Sequence, residues 1–236
     1  MCILVVAEPN TIPTREELIM GACSNPHGHG FALITNDGEL VVNRSMKADT
    51  LIDEFLELRE ANMNGYAMFH SRYASHGEVS LSNCHPFYLG DDKQTVLAHN
   101  GNFCNDLQPK GDDRSDTRWF AEDVMPSLGG ITALDNPYLY EMISEWSGTN
   151  RVAFLTVNPE AEHELYLIGG ELGSIDEDGV WWSNQYHLNK SYAVGASSKF
   201  GSAKTLEPWE GSKAQAEWSD SLTAKEWDAM YKVKTQ

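Results

Sequence analysis

The sequence predicts an α+β fold of antiparallel sheets covered by helices, and three observations carry that prediction. Apolar runs of strand length cluster at the two ends of the chain, with the helical stretches grouped between them. Neighbouring strand runs are joined by hairpin signals, the clearest being Asn36-Asp37-Gly38. The alternating βαβ pattern of a doubly wound sheet is absent, and so is a Gly-rich phosphate loop.

The elements follow in order. Ile3 to Ala7 is an unbroken apolar run and reads as a buried strand. Thr14-Arg15-Glu16-Glu17 has the form of a capping box and opens a short helix through about Cys23. Asn25 to Gly30 is a loop rich in turn residues. Phe31–Thr35 and Leu40–Asn43 are the strands of the hairpin. Asp49 is placed to cap a helix carrying Leu51, Ile52, Phe55, Leu56 and Leu58 at helical spacing. Gly65–Tyr73 and Thr95–His99 are further strands, the second running into Asn100-Gly101, a dipeptide common in hairpin turns. Ser115 or Asp116 caps the next helix, whose apolar face is Trp119, Phe120 and Val124, and Pro137–Trp146 forms another. Val152–Val157, Glu164–Ile168, Val180–Ser183 and Tyr192–Ala196 then read as a β-meander. From about Lys199 the chain is polar with spaced Trp209, Trp218 and Trp227, and Thr223–Glu226 is a second capping box before a short helix ending near Val233. The expected organisation is one domain over residues 1–200 and a C-terminal arm over 201–236 packed on it.

Composition narrows the function. Of 236 residues, 41% are hydrophobic and seven are Trp, enough for a substantial core. Thirty-five acidic against 17 basic side chains give a formal charge of -18, which repels phosphates and argues against nucleic acid as a partner. No apolar run reaches membrane-spanning length and no basic leader precedes the first strand, so a cytoplasmic protein is expected, with no membrane partner. Cys2, Cys23, Cys84 and Cys104 contain no C-x-x-C pair and are expected as free thiols. A metal site from Cys84, His85, His99 and Cys104 fits no zinc spacing, so neither metal nor cofactor is expected.

The chemistry centres on Cys2. Met1 precedes a side chain small enough for a methionine aminopeptidase, and its removal would give Cys2 both a thiol and a free α-amine. The two titrate close together, so the amine can act as base for the thiol. Four segments complete what amide cleavage by a thiol needs. They are His70-Ser71-Arg72-Tyr73-Ala74-Ser75-His76-Gly77, Asn83-Cys84-His85-Pro86-Phe87, His99-Asn100-Gly101-Asn102 and Arg114-Ser115-Asp116-Thr117. An Asn amide and the following Gly N–H can hold an oxyanion, as Asn100 and Gly101 could. The carboxylate of an amino-acid substrate calls for an Arg fork and its ammonium for a carboxylate, the types that Arg72 and Asp116 offer. Each residue alone has an ordinary structural explanation; the ordered set fills one separate requirement after another.

That set resembles the glutaminase domain of class II glutamine amidotransferases, in the N-terminal-nucleophile (Ntn) hydrolase family. The family's Cys after the initiator Met, its His-Thr-Arg-Trp-Ala-Thr-His-Gly block, its Asn-x-His-Pro, His-Asn-Gly and Ser-Asp-Thr are similar to Cys2, His70–Gly77, Asn83–Pro86, His99–Gly101 and Ser115–Thr117. The loop His27–Ala32 follows the family's Asp-Gly-x-Gly-x-Ala region more loosely, Asn25-Pro26-His27 standing where Arg-Gly is frequent, and Tyr73 stands where Trp is frequent. The resemblance implies a four-layer αββα sandwich of two antiparallel sheets. It implies Cys2 as nucleophile with its own amine as base, and Asn100 and Gly101 as oxyanion hole. Arg72 and Asp116 would grip the glutamine head, and Tyr73, Ser75 and His76 would line the pocket. The implied reaction turns glutamine, through a γ-glutamyl thioester, into glutamate and ammonia. No synthase or synthetase segment is legible, so the ammonia acceptor is expected to be a separate polypeptide. A stand-alone hydrolase of another γ-glutamyl amide, or a silent binding module on the same fold, are the alternative readings.

Overall fold

The computed structural model describes residues 2–104 and 108–188, and within them ten strands form two sheets. Sheet A has the order β3 (Leu40–Ser45), β2 (His29–Ile34), β4 (Ala67–Ser71), β1 (Ile3–Ala7), β10 (Trp181–Trp182), β9 (Ser174–Ile175). Sheet B has the order β5 (Phe87–Leu89), β6 (Asp92–Asn100), β7 (Arg151–Thr156), β8 (Leu165–Ile168). Every pairing is antiparallel.

Side-chain alternation builds the layers. Along β1, Leu4 and Val6 face Val96, Ala98, Ala153 and Leu155 of the other sheet, making the apolar seam between the sheets. Ile3, Val5 and Ala7 face the opposite way, onto α1 (Arg15–Ser24) through Leu18 and α2 (Ala48–Ala61) through Leu51, Ile52 and Phe55. On sheet B, Leu97, Val152 and Phe154 pack under Phe120, Met125 and Ile143. These belong to the helical run of α3 (Asp116–Trp119), a π turn (Phe120–Val124) and α4 (Met125–Ser127), and to α5 (Pro137–Ser147). Helices therefore cover the outer face of each sheet, the four-layer αββα sandwich expected from the motifs. Both β1 and β4 are buried on both faces; β1 therefore reads as an unbroken apolar run, while β4 is apolar from Ala67 to Phe69 and ends in the buried polar pair His70 and Ser71.

Local chemistry fixes the ends of these elements. Thr14 caps α1, with both halves of the capping box formed to Glu17. Ser115 caps α3 by accepting from Arg118 N, which leaves Asp116 as the first helical residue. Asp49 is not a cap: α2 begins at Ala48 behind Lys47, which makes no side-chain cap hydrogen bond, and Asp49 lies in the first turn, where its charge favours the helix dipole. Strand β5 was not anticipated, because its three residues are too few to show a period. Asn100-Gly101 makes no hairpin turn; β6 ends at Asn100 and the chain leaves the sheet. The meander is divided between sheets. β7 and β8 pair in sheet B, whereas β10 crosses to sheet A and pairs with β1, Val5 opposite Trp182. A two-residue strand carries no periodicity that could say which sheet it joins. The expected strand at Tyr192–Ala196, the tail tryptophans Trp209, Trp218 and Trp227, the second capping box and Met1 lie outside the described residues.

One close approach ties the sheet to the site. Gly30 on β2 lies against the carbonyl of His85, leaving no room for a Cβ. Gly30→Ala is expected to destabilise the protein by about 3 kcal/mol, because the obstructing atom is backbone and must move. The midpoint of urea unfolding checks this, and an unchanged midpoint would refute the packing.

Candidate active site

Strand parity gathers the site residues before any contact is considered. Cys2 precedes Ile3 and shares the parity of Leu4 and Val6, so it belongs to the face toward sheet B. Ile3 pairs with Ser71, which sets Cys2 beside Arg72 at the same sheet end. On β6, Val96 and Ala98 face the seam between the sheets and Asn100 shares their parity, while His99 turns toward the helices. The nucleophile candidate, the Arg and the Asn therefore meet at one mouth of the sandwich.

A small pocket, open to solvent on one side, lies there. Its lining includes Cys2, Arg72, Tyr73, Ser75, His76, Gly101 and Asp116, every expected site residue except Asn100, together with His85, His99, Ser115 and Thr117. Asn100 lies just behind, donating from Nδ2 to Ser183 Oγ at 2.9 Å. An amide NH₂ has two hydrogens, so this bond leaves one free.

The Cys2 Sγ accepts from Tyr73 N at 3.3 Å. Burial pushes its pKa up, the largest effect; the Tyr73 N–H and the charge of Arg72 pull it down, and Asp116 pushes it up. The thiol is thus held protonated near neutrality, and ionising it calls for a base. Arg72 is buried, and its guanidinium donates to Glu78 O at 2.8 Å and His76 O at 2.7 Å, bracing the loop that carries Tyr73 to Glu78. Both terminal nitrogens keep a second N–H. Asp116 is buried and accepts from Phe103 N at 2.7 Å and Thr117 N at 2.8 Å, both neutral donors. One charge of each sign consequently acts on the thiol from nearby. Ser75 Oγ donates to Asn102 Oδ1, tying the same loop to the segment after Gly101.

Buried histidines stand in and behind the pocket wall, His85 and His99 lining it and His70 packed against His85. His70 Nε2 is 3.0 Å from His99 O and 2.7 Å from His85 Nδ1. A carbonyl only accepts, so the His70 proton sits on Nε2, His85 Nδ1 is bare, and His70 Nδ1 is left without a partner. Burial drives the pKa values of His70 and His85 well below the ordinary range.

Three polar residues at this site carry no motif. Ser183, fully buried beyond β10, accepts from Leu4 N at 2.8 Å as well as from Asn100. Asn184 donates from Nδ2 to the Cys2 carbonyl at 2.8 Å. Asn150, before β7, reaches His99 and Asn102. The only trace in the sequence is a polar pair directly after Trp181-Trp182, too common a pattern to single out. Among the described residues no group of three or more His, Cys, Asp or Glu is placed to hold a metal ion, and no helix is long and apolar enough to cross a membrane.

Two stacked antiparallel sheets with helices on both outer faces form the αββα sandwich of the Ntn-hydrolase fold class. Within that class the chain is similar to class II glutamine amidotransferases, and residues 19–117 match the family described as "Glutamine amidotransferases class-II". A glutamine–fructose-6-phosphate aminotransferase [isomerizing] of Leifsonia xyli subsp. xyli (strain CTCB07) is 40% identical over 73 residues, 30% of this chain and 12% of that protein. The glutamine phosphoribosylpyrophosphate amidotransferase from B. subtilis shares the fold with a TM-score of 0.50 at 19% identity, over 80% of this chain and 43% of that one. A structure described as the allosteric regulatory enzyme of purine biosynthesis gives a TM-score of 0.44 at 18% identity, again over 80% of this chain and 43% of that one. The chain thus spans less than half the length of each of these proteins.

Proposed function

We propose that this chain is a glutaminase of the class II amidotransferase type, with Cys2 as nucleophile. The observation that carries the reading is the gathering of Cys2, Arg72, Gly101 and Asp116 around one pocket, with charges of opposite sign near the thiol. An amino-acid head group is a zwitterion and needs such a pair. Removal of Met1 frees the α-amine of Cys2, which takes the thiol proton as sulfur attacks the side-chain amide carbon of glutamine. The developing oxyanion is held by the free Asn100 Nδ2 hydrogen and the Gly101 N–H. The amine passes its proton to the leaving nitrogen, ammonia departs, and water hydrolyses the thioester to glutamate. Arg72 receives the α-carboxylate through its spare N–H groups and Asp116 the α-ammonium, with Tyr73, Ser75 and His76 closing over the head group.

The ammonia acceptor is read as a separate polypeptide that docks through a basic face, the support being the formal charge of -18 on this chain. Residues 1–200 form the glutaminase domain in this reading.

The head-group assignment is tested with Asp116→Asn and two substrates, glutamine and glutaramate, which lacks the ammonium. For glutamine the variant is expected to raise KM by about 10–100-fold, the worth of one charged hydrogen bond. For glutaramate KM is expected to stay within about threefold. Equal losses on both substrates would reject Asp116 as the ammonium site.

A further inference from the structure

We propose that Asn150 is a positioning residue for the oxyanion hole, fixing the backbone of His99–Asn102 so that the Gly101 N–H points at the reacting carbonyl oxygen. This rests on the glutaminase reading above and adds to it a residue outside the segment that matches the family.

The geometry converges on one atom. Asn150 Oδ1 accepts from Asn102 N at 2.7 Å and lies 2.9 Å from His99 Nε2. A backbone N–H can only donate, so the Asn150 atom facing it is the oxygen, and His99 must then present Nε2–H. The other ring nitrogen, Nδ1, is left to accept from Thr117 Oγ1 at 2.8 Å. The imidazole is stacked on Phe103, with ring centres 3.9 Å apart and planes 10° apart. His99 is thereby held at both nitrogens and one face. One carboxamide oxygen bridges the residues on either side of the Asn100-Gly101 pair, gripping it like a staple.

Gly101 lies inside that staple. It sits at φ 154°, and a Cβ there would run into the Asn150 carboxamide. The peptide carrying the Gly101 N–H is thus fixed by Asn150 from both ends and from the side. Asn150 itself is anchored, its Nδ2 donating to Ser147 O at the end of α5 and its N–H to the same carbonyl at 3.1 Å. Asn150 does not line the pocket, so the substrate is not within its direct reach.

A hydrogen-bond donor displaced by about 1 Å from a developing oxyanion costs on the order of 10²-fold in rate. The test compares Met1-free wild type with Asn150→Leu, which keeps the approximate bulk and removes the acceptor, and Asn150→Asp, which keeps the acceptor. Glutamate release gives kcat and KM, and product inhibition by glutamate reports ground-state binding. Asn150→Leu is expected to lower kcat by about 10–100-fold, with KM and the glutamate inhibition constant within about threefold of wild type. Asn150→Asp is expected to recover most of the lost kcat. An unchanged kcat in Asn150→Leu overturns the proposal, as does a loss shared by kcat, KM and thermal midpoint that Asn150→Asp fails to restore. Should Asn150→Leu not fold, the ¹⁵N shifts of His99 in the wild type decide, since a protonated Nδ1 and bare Nε2 would exclude the bridge. A wild type that releases no glutamate rejects the glutaminase reading itself; an active wild type with an indifferent Asn150→Leu rejects only the positioning role.

Discussion

Cys2→Ala is expected to lower glutamate release from glutamine by about 10⁴-fold or more, the scale seen when a covalent nucleophile is deleted. The size of the effect follows from the site. No other thiol lines the pocket. Cys84 is fully buried with its Sγ against Met46 and the Ser80 carbonyl, Cys23 lies on α1, and Cys104 is exposed elsewhere. Arg72 and Asp116 are untouched by the change, so glutamine binding is expected to survive within a few-fold while turnover is lost. Isothermal titration with glutamine beside a coupled glutamate assay separates the two quantities. Loss of binding together with turnover would mean that Cys2 shapes the pocket rather than reacting in it.

Acid is expected to destabilise the protein steeply between pH 6.5 and pH 4. His29, His70, His85 and His99 are all buried, and burial is the largest cause of each lowered pKa, with His29 brought down to about 4. In the unfolded chain each returns to about 6.5. Below that pH the unfolded state binds protons that the folded state refuses, so their contribution is complete above pH 6.5 and is lost as the pH falls toward the folded values. At pH 5 His29 alone accounts for about 2 kcal/mol, and the other three push the same way. Urea midpoints across this range measure the slope; a flat profile would show that these rings take up protons while still folded.

What the sequence made legible divides along physical lines. The layers could be read because the apolar run of β1 and the helical spacing of Leu51, Ile52 and Phe55 each commit a face to a core. Cys2, Arg72 and Asp116, which line one pocket, stand out in the sequence because each carries a side chain of distinct chemistry. Ser183, Asn184 and Asn150 were not findable. They act by holding backbone and amide groups in place, a task many polar residues could do, and only the folded chain brings them within reach. Strand β10 shows the same limit: its two residues gain meaning only by crossing from the region of β8 to pair with β1 beside Cys2.

The central claim, that Cys2 becomes the N-terminal nucleophile of a glutaminase, is tested most directly by acid-quenching the protein during turnover of labelled glutamine and mapping the label by intact and peptide mass spectrometry. Met1-free protein is expected to carry a γ-glutamyl group on Cys2, and protein that retains Met1 to carry none and release no glutamate. Glutamate formed equally by both forms, or formed with Cys2 unlabelled, would contradict it.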